Sequence, residues 1–171
     1  CAVFWFDVLT KLFWLNYCFL LYQIINISAM KTVSQKMGIK ENVRSYFLNA
    51  PKEAINSLNL PMIDLKKSLT GEFDYIHLFV KTQKEQSEIF QTLKDHLKLD
   101  GMLWVSWPKG GQLNTDLALP KVIKIGYEFG LVESTCLSVN EIWSALKFTH
   151  PKKGKTYNNS HAKLASRTTN R

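Results

Sequence analysis

A chain of 171 residues, 46% of them apolar and 21% charged, has room for one hydrophobic core and the side chains to fill it, because single domains run to roughly 100–200 residues. The net charge of +8 is unevenly placed: residues 38–150 hold 13 basic and 13 acidic side chains, and residues 151–171 hold six basic and no acidic ones. A basic recognition face within the folded part is therefore left without support, and contact with nucleic acid is expected only through the tail.

Residues 12–30 carry no charge and are long enough to be weighed as a membrane span or signal sequence. Against that stand Asp7 near the start and the polar interruptions Asn16, Gln23, Asn26 and Ser28. Of the first 29 residues, 16 are Phe, Leu, Ile, Asn or Tyr, the composition that an AT-rich stretch upstream of a start codon would encode. The expectation is thus an N-terminal extension over 1–36, with translation from Met30 or Met37. A membrane or export segment is the other reading, and without it no membrane partner and a cytoplasmic location are expected.

In chain order, Val43 to Asn49 has the β-branched and aromatic content of a strand, and Ala50-Pro51 opens a short helix to Leu58. Pro61 to Leu65 reads as a brief second strand. Asp74 to Val80 is almost wholly apolar after its first residue, as in a strand covered on both faces. Thr82 to Leu97 places Ile89, Phe90, Leu93 and Leu97 at helical spacing, and Asp100-Gly101 is expected to stop that helix. Met102 to Trp107 is the next buried strand. A helix is expected over Asn114 to Gly130, and a hairpin over Leu131 to Val139 and Glu141 to Thr149. That alternation predicts a single α/β domain over 37–150 with a mostly parallel sheet and helices on both faces. Residues 151–171, rich in Asn, Ser, Thr and Lys, are expected to form a disordered tail.

Cys1, Cys18 and Cys136 share no Cys-x-x-Cys spacing, and the four histidines are scattered. No metal site or disulfide framework is expected, and Cys136 reads as a buried thiol in a strand.

Met37-Gly38-Ile39-Lys40, Leu48-Asn49-Ala50-Pro51, Phe73 to Val80, Asp100 to Lys109 and Glu141 to Phe148 resemble a family of small bacterial proteins known only as a domain of unknown function. That resemblance implies no activity. More distantly, Asp74 to Val80, Leu97 to Val105 and Leu131 to Thr149 are similar in order to class I methyltransferases. This second resemblance implies a three-layer, Rossmann-like, methyltransferase-like sheet of six strands in the order 2-1-3-4-6-5, one strand–helix unit short, ending in an antiparallel hairpin. It also marks a departure. Where those enzymes place a glycine-rich turn after the first strand, this chain has Asn49-Ala50-Pro51-Lys52, with no glycine from Lys40 to Thr70, so no cofactor is expected.

In such sheets ligands sit beyond the carboxyl ends of the strands. The candidates there are Asn49 and Pro51, Lys81, and Trp107 with Lys109: the lysines for an anionic group, Asn49 for amide hydrogen bonds, Trp107 for stacking. Each has an ordinary structural reading beside it, with Pro51 starting a helix, Trp107 covering the sheet and both lysines solvated. His77 reads as a hydrogen-bonded core histidine, and Asp64 and Asp116 as exposed or capping aspartates. Ser106 lacks a Gly-x-Ser-x-Gly frame, and Lys109-Gly110-Gly111 lacks the spacing of a phosphate loop. No catalytic residue is assigned, and whether the chain is an enzyme is left open. The expected function is a non-catalytic binding or interaction module on a degenerate methyltransferase-like fold, engaging a small anionic ligand or a protein partner. The alternative is a transferase acting on a small anionic substrate through Lys81, Lys109 and Asn49.

Overall fold

The computed structural model describes residues 31–164, and the reading of residues 1–29 as an upstream extension lies outside them. From Val33 onward the elements are α1 (Val33–Met37), β1 (Arg44–Leu48), α2 (Lys52–Leu58), β2 (Asp64–Leu65), β3 (Phe73–Phe79), α3 (Gln83–Asp95), β4 (Leu97–Pro108), α4 (Leu119–Glu128), β5 (Val132–Ser138) and β6 (Trp143–Thr149). The six strands form one sheet in the order β2-β1-β3-β4-β6-β5. β2, β1, β3 and β4 run parallel, while β6 and β5 join antiparallel to their neighbours. This is the mixed α/β architecture and strand order expected above.

Strand alternation sorts the core into two layers. Ile76 and Leu78 of β3, Val80 just past its end, and Leu103, Val105 and Trp107 of β4 face one way and meet Phe90 and Leu93 of α3 and Val122 and Ile125 of α4. Tyr75 and Phe79, with Trp104, face the other way and meet Met37 of α1 and Ala54 and Leu58 of α2. β3 is buried along nearly its whole length, which is why its sequence is so uniformly apolar. Met37 and Ser34 are buried, so the folded part includes α1 and starts before the boundary expected at residue 37.

Three expectations need correcting. Asp100-Gly101 does not end a helix; it lies inside β4, where pairing with β3 breaks after Phe73 with Leu97 and resumes at Tyr75 with Met102. Gly101 suits that break, because a Cβ there would stand 2.9 Å from the carbonyl oxygen of Phe73. The helix expected from Asn114 begins only at Leu119. Gly110, Gly111, Leu113 and Asn114 all have positive φ, and Pro120 fits only the first turn. Cys136 is exposed, not buried: β5 is the sheet edge, and its pairing with β6 slips between Glu133 and Cys136. Residues 151–164 carry no helix or strand, yet Tyr157, Ala162 and Leu164 pack against the first core layer.

Candidate functional site

β1, β3 and β4 are neighbours and parallel, so the turns that follow them lie side by side at the carboxyl edge of the sheet. Asn49, Pro51, Lys81 and Lys109 all belong to these turns. Asn49 is exposed at φ 56°, a left-handed position that asparagine tolerates better than most residues. Pro51 stands at the N-cap of α2 with extended backbone, and no side chain caps that helix.

The β3–α3 turn is closed by the chain's own carboxylates. The Lys81 and Thr82 amides donate to Oε2 of Glu85 at 2.8 and 3.1 Å, and the Thr82 hydroxyl accepts from the Glu85 amide, completing a capping box. Asp116, from the loop before α4, takes the Gln83 amide at 2.8 Å and the Gln83 side chain at 3.2 Å. Hydrogen bonds from Gln83, chiefly its backbone amide, hold the Asp116 carboxyl below the usual carboxylate range. The Thr115 hydroxyl and the Asp116 amide donate to the Lys81 carbonyl, tying the same loop down over the turn. The positive end of α3, where an anion would otherwise be drawn, is already matched by negative charge.

Lys109 is likewise engaged. Its ammonium donates to Ser138 Oγ at 2.7 Å and to the Asn140 carbonyl at 2.5 Å, bracing the end of β4 against the β5–β6 turn. Asn140 shapes that turn by accepting from the amides of Ile142 and Trp143, and its own amide group reaches Ser57 on α2. Removing the ammonium unties two strands from one turn, so Lys109→Ala is expected to lower the stability of the domain by about 1 kcal/mol, read as a fall in Tm. An unchanged Tm would show that the brace contributes nothing. Trp107 is only 5% exposed and sits among the α3 and α4 core residues, so a ligand stacking on it would first have to open that core. The Lys81 side chain is exposed.

A second polar arrangement lies inside the sheet. His77 Nδ1 and the Tyr75 hydroxyl are 2.9 Å apart, and His77 Nε2 and the Ser106 hydroxyl are 2.7 Å apart, with all three residues fully buried. The ring of Phe79 stacks on the imidazole at 4.3 Å, and Phe47 lies 5.5 Å away. Burial pushes the imidazole down to about 3 and the Tyr75 phenol well up. This histidine is neutral and satisfied, as its mid-strand position leads one to expect. Ser106 accompanies it as a hydrogen-bond partner enclosed in the core.

Asn49, Pro51, Lys81 and Lys109 do gather at one edge of the sheet, but the closure of its turns was not expected. The Thr82-x-x-Glu85 spacing does announce the capping box, and Tyr75-x-His77 announces two side chains on one face. Nothing in the sequence joins Asp116 to Gln83 or Lys109 to Asn140, since each pair meets only through the fold. Among the described residues no group of three His, Cys, Asp or Glu side chains is placed to hold a metal ion, and no helix is long and apolar enough to cross a membrane.

No family model matches the chain, and no curated protein does. Among solved structures it is similar to a ribosomal protein L11 methylase from Lactobacillus delbrueckii subsp. bulgaricus, at 14% identity and a TM-score of 0.45 over 70% of this chain and 76% of that one. It is also similar to the Methanococcus jannaschii fibrillarin pre-rRNA processing protein, at 12% identity and a TM-score of 0.44 over 67% of this chain and 69% of that one. The coenzyme implied by the methyltransferase resemblance finds no ready cradle here. The β1–α2 turn has no glycine, and the amides opening α3 are bonded to Glu85 and Asp116.

Proposed function

We propose that the folded part is a non-catalytic binding or interaction module on a degenerate methyltransferase-like sheet. The observation that supports this reading is the closed β3–α3 turn, where three successive amides donate to the chain's own carboxylates. An anionic ligand entering there would have to displace Glu85 and Asp116 and leave them unpaired beside it. In a thermal-shift screen of nucleotides, coenzymes and S-adenosylmethionine, none is expected to raise the Tm detectably; a rise of several degrees with any one of them argues against the reading.

The second reading, a transferase acting on a small anionic substrate through Lys81, Lys109 and Asn49, draws on the strand order, which is that of the class I methyltransferase outline less one unit. It is distinguished by Lys109→Ala. A transferase of this kind loses ligand binding with its Tm unchanged, whereas a bracing lysine gives a lower Tm.

A further inference from the structure

We propose that residues 155–164 form a phosphodiester-binding cleft whose ligand is single-stranded nucleic acid. The cleft measures about 600 Å³ and is lined by Lys155, Thr156, Tyr157, Asn158, Asn159, Ser160, Lys163 and Leu164. Two ammonium groups, three hydroxyls and two side-chain amides, that of Asn159 given to Glu133, meet there with no carboxylate in the lining, which is a donor set for phosphate oxygens. A volume of this size takes a nucleotide-sized segment of a strand.

The cleft belongs to a held segment. Tyr157, Ala162 and Leu164 pack on the core, and the Tyr157 hydroxyl accepts from the Lys152 amide at 2.9 Å. Asn159 donates to Glu133 of β5, and its own side-chain oxygen accepts the His161 amide at 2.7 Å. Lys155 stands 5.3 Å from the centre of the Tyr157 ring. The charge pattern points the same way. Residues 38–150 are balanced, so the excess of positive charge in the C-terminal segment is not offset by any excess of acid in the domain that carries it. Lys152 and Lys153 precede the cleft along the chain, so the positive charge extends beyond one phosphate, as a polyanion requires and a free anion does not.

The test uses the full chain with a fluorescein-labelled 20-nucleotide polyuridine and fluorescence anisotropy across a salt series. Native protein is expected to bind, with an affinity that falls linearly in log salt at roughly 0.7 in slope for each phosphate contact. Lys155→Ala with Lys163→Ala should weaken binding several-fold and flatten the slope by roughly 1.4, with the Tm unchanged because both side chains are exposed. Tyr157→Ala keeps every charge but releases the segment, and it too should weaken binding. Full affinity in Tyr157→Ala would mean that a loose charged tail suffices and no built cleft exists. Full slope in the lysine double variant, no binding by native protein, or displacement by pyrophosphate at equal phosphate concentration would each overturn the proposal. None of these outcomes depends on the carboxyl edge of the sheet, so they stand apart from the reading given above.

Discussion

Gly126→Ala is expected to destabilise the domain by about 2–3 kcal/mol, although alanine is the better helix former by about 1 kcal/mol. A Cβ at position 126 would lie 2.0 Å from Cε1 of Phe148 and 2.5 Å from its Cζ, far inside contact distance. Phe148 cannot swing aside. It is fully buried on β6 and stands edge-to-face with Phe90 of α3 at 5.5 Å. Either the ring leaves its rotamer or α4 lifts from the sheet, and both open the layer that α3 and α4 share. A fall in Tm of about 4–12 °C follows for a chain of this size. Phe148→Leu removes the ring edge, so in the double variant the second substitution should cost less than it does alone. A Tm for Gly126→Ala at or above the native value would show that α4 does not approach β6 this closely.

The second large effect concerns acid. His77 is neutral in the folded protein down to about pH 3, whereas in the unfolded chain it takes a proton near 6.5. Above pH 6.5 the imidazole is neutral in both states and contributes no pH dependence. Below it the unfolded state gains a proton that the folded state refuses, so stability falls by about 1.4 kcal/mol per pH unit, or about 2 kcal/mol by pH 5. The groups facing this imidazole are Tyr75, Ser106, Phe47 and Phe79, and none offers a negative charge to stabilise an imidazolium. His77→Leu should be less stable than native at pH 7.5 by about 2–4 kcal/mol, because it strands the Tyr75 and Ser106 hydroxyls in the core. It should also lose this part of the acid dependence, so the gap between the two proteins narrows by about 2 kcal/mol at pH 5. Urea denaturation at the two pH values reads both; a gap that stays constant would mean that the imidazole is protonated or solvated in the folded state.

Both effects originate in features that the sequence exposes to different degrees. The central strand is legible because Phe73 to Val80 is apolar on both faces, and the hairpin is legible because two strand patterns meet at Asn140. The strand order followed from a resemblance, not from periodicity, since alternation says which face a residue takes and not which neighbour it pairs with. Gly126 looked like an ordinary helix interior; only the approach of Phe148, twenty-two residues later in the chain, makes it obligatory. Cys136 read as buried because a strand at the sheet edge and one at its centre have similar short patterns. The site was half legible for the same reason. Asn49, Pro51, Lys81 and Lys109 do gather at one edge, but the partners that occupy two of these turns come from distant loops: Asp116 from one whose path depends on the left-handed residues Leu113 and Asn114, and Asn140 from the β5–β6 turn. The C-terminal segment shows the limit of composition. Its polar content argued against a fixed place, and three apolar side chains nevertheless attach it to the core.

The closed turn after β3 is most directly tested by titrating isotopically labelled protein with S-adenosylmethionine while following the amide signals of Lys81, Thr82 and Gln83. Those signals are expected to stay in place to millimolar ligand, because Glu85 and Asp116 already hold the amides. Saturable movement of the three together would contradict the account and return the carboxyl edge to coenzyme chemistry.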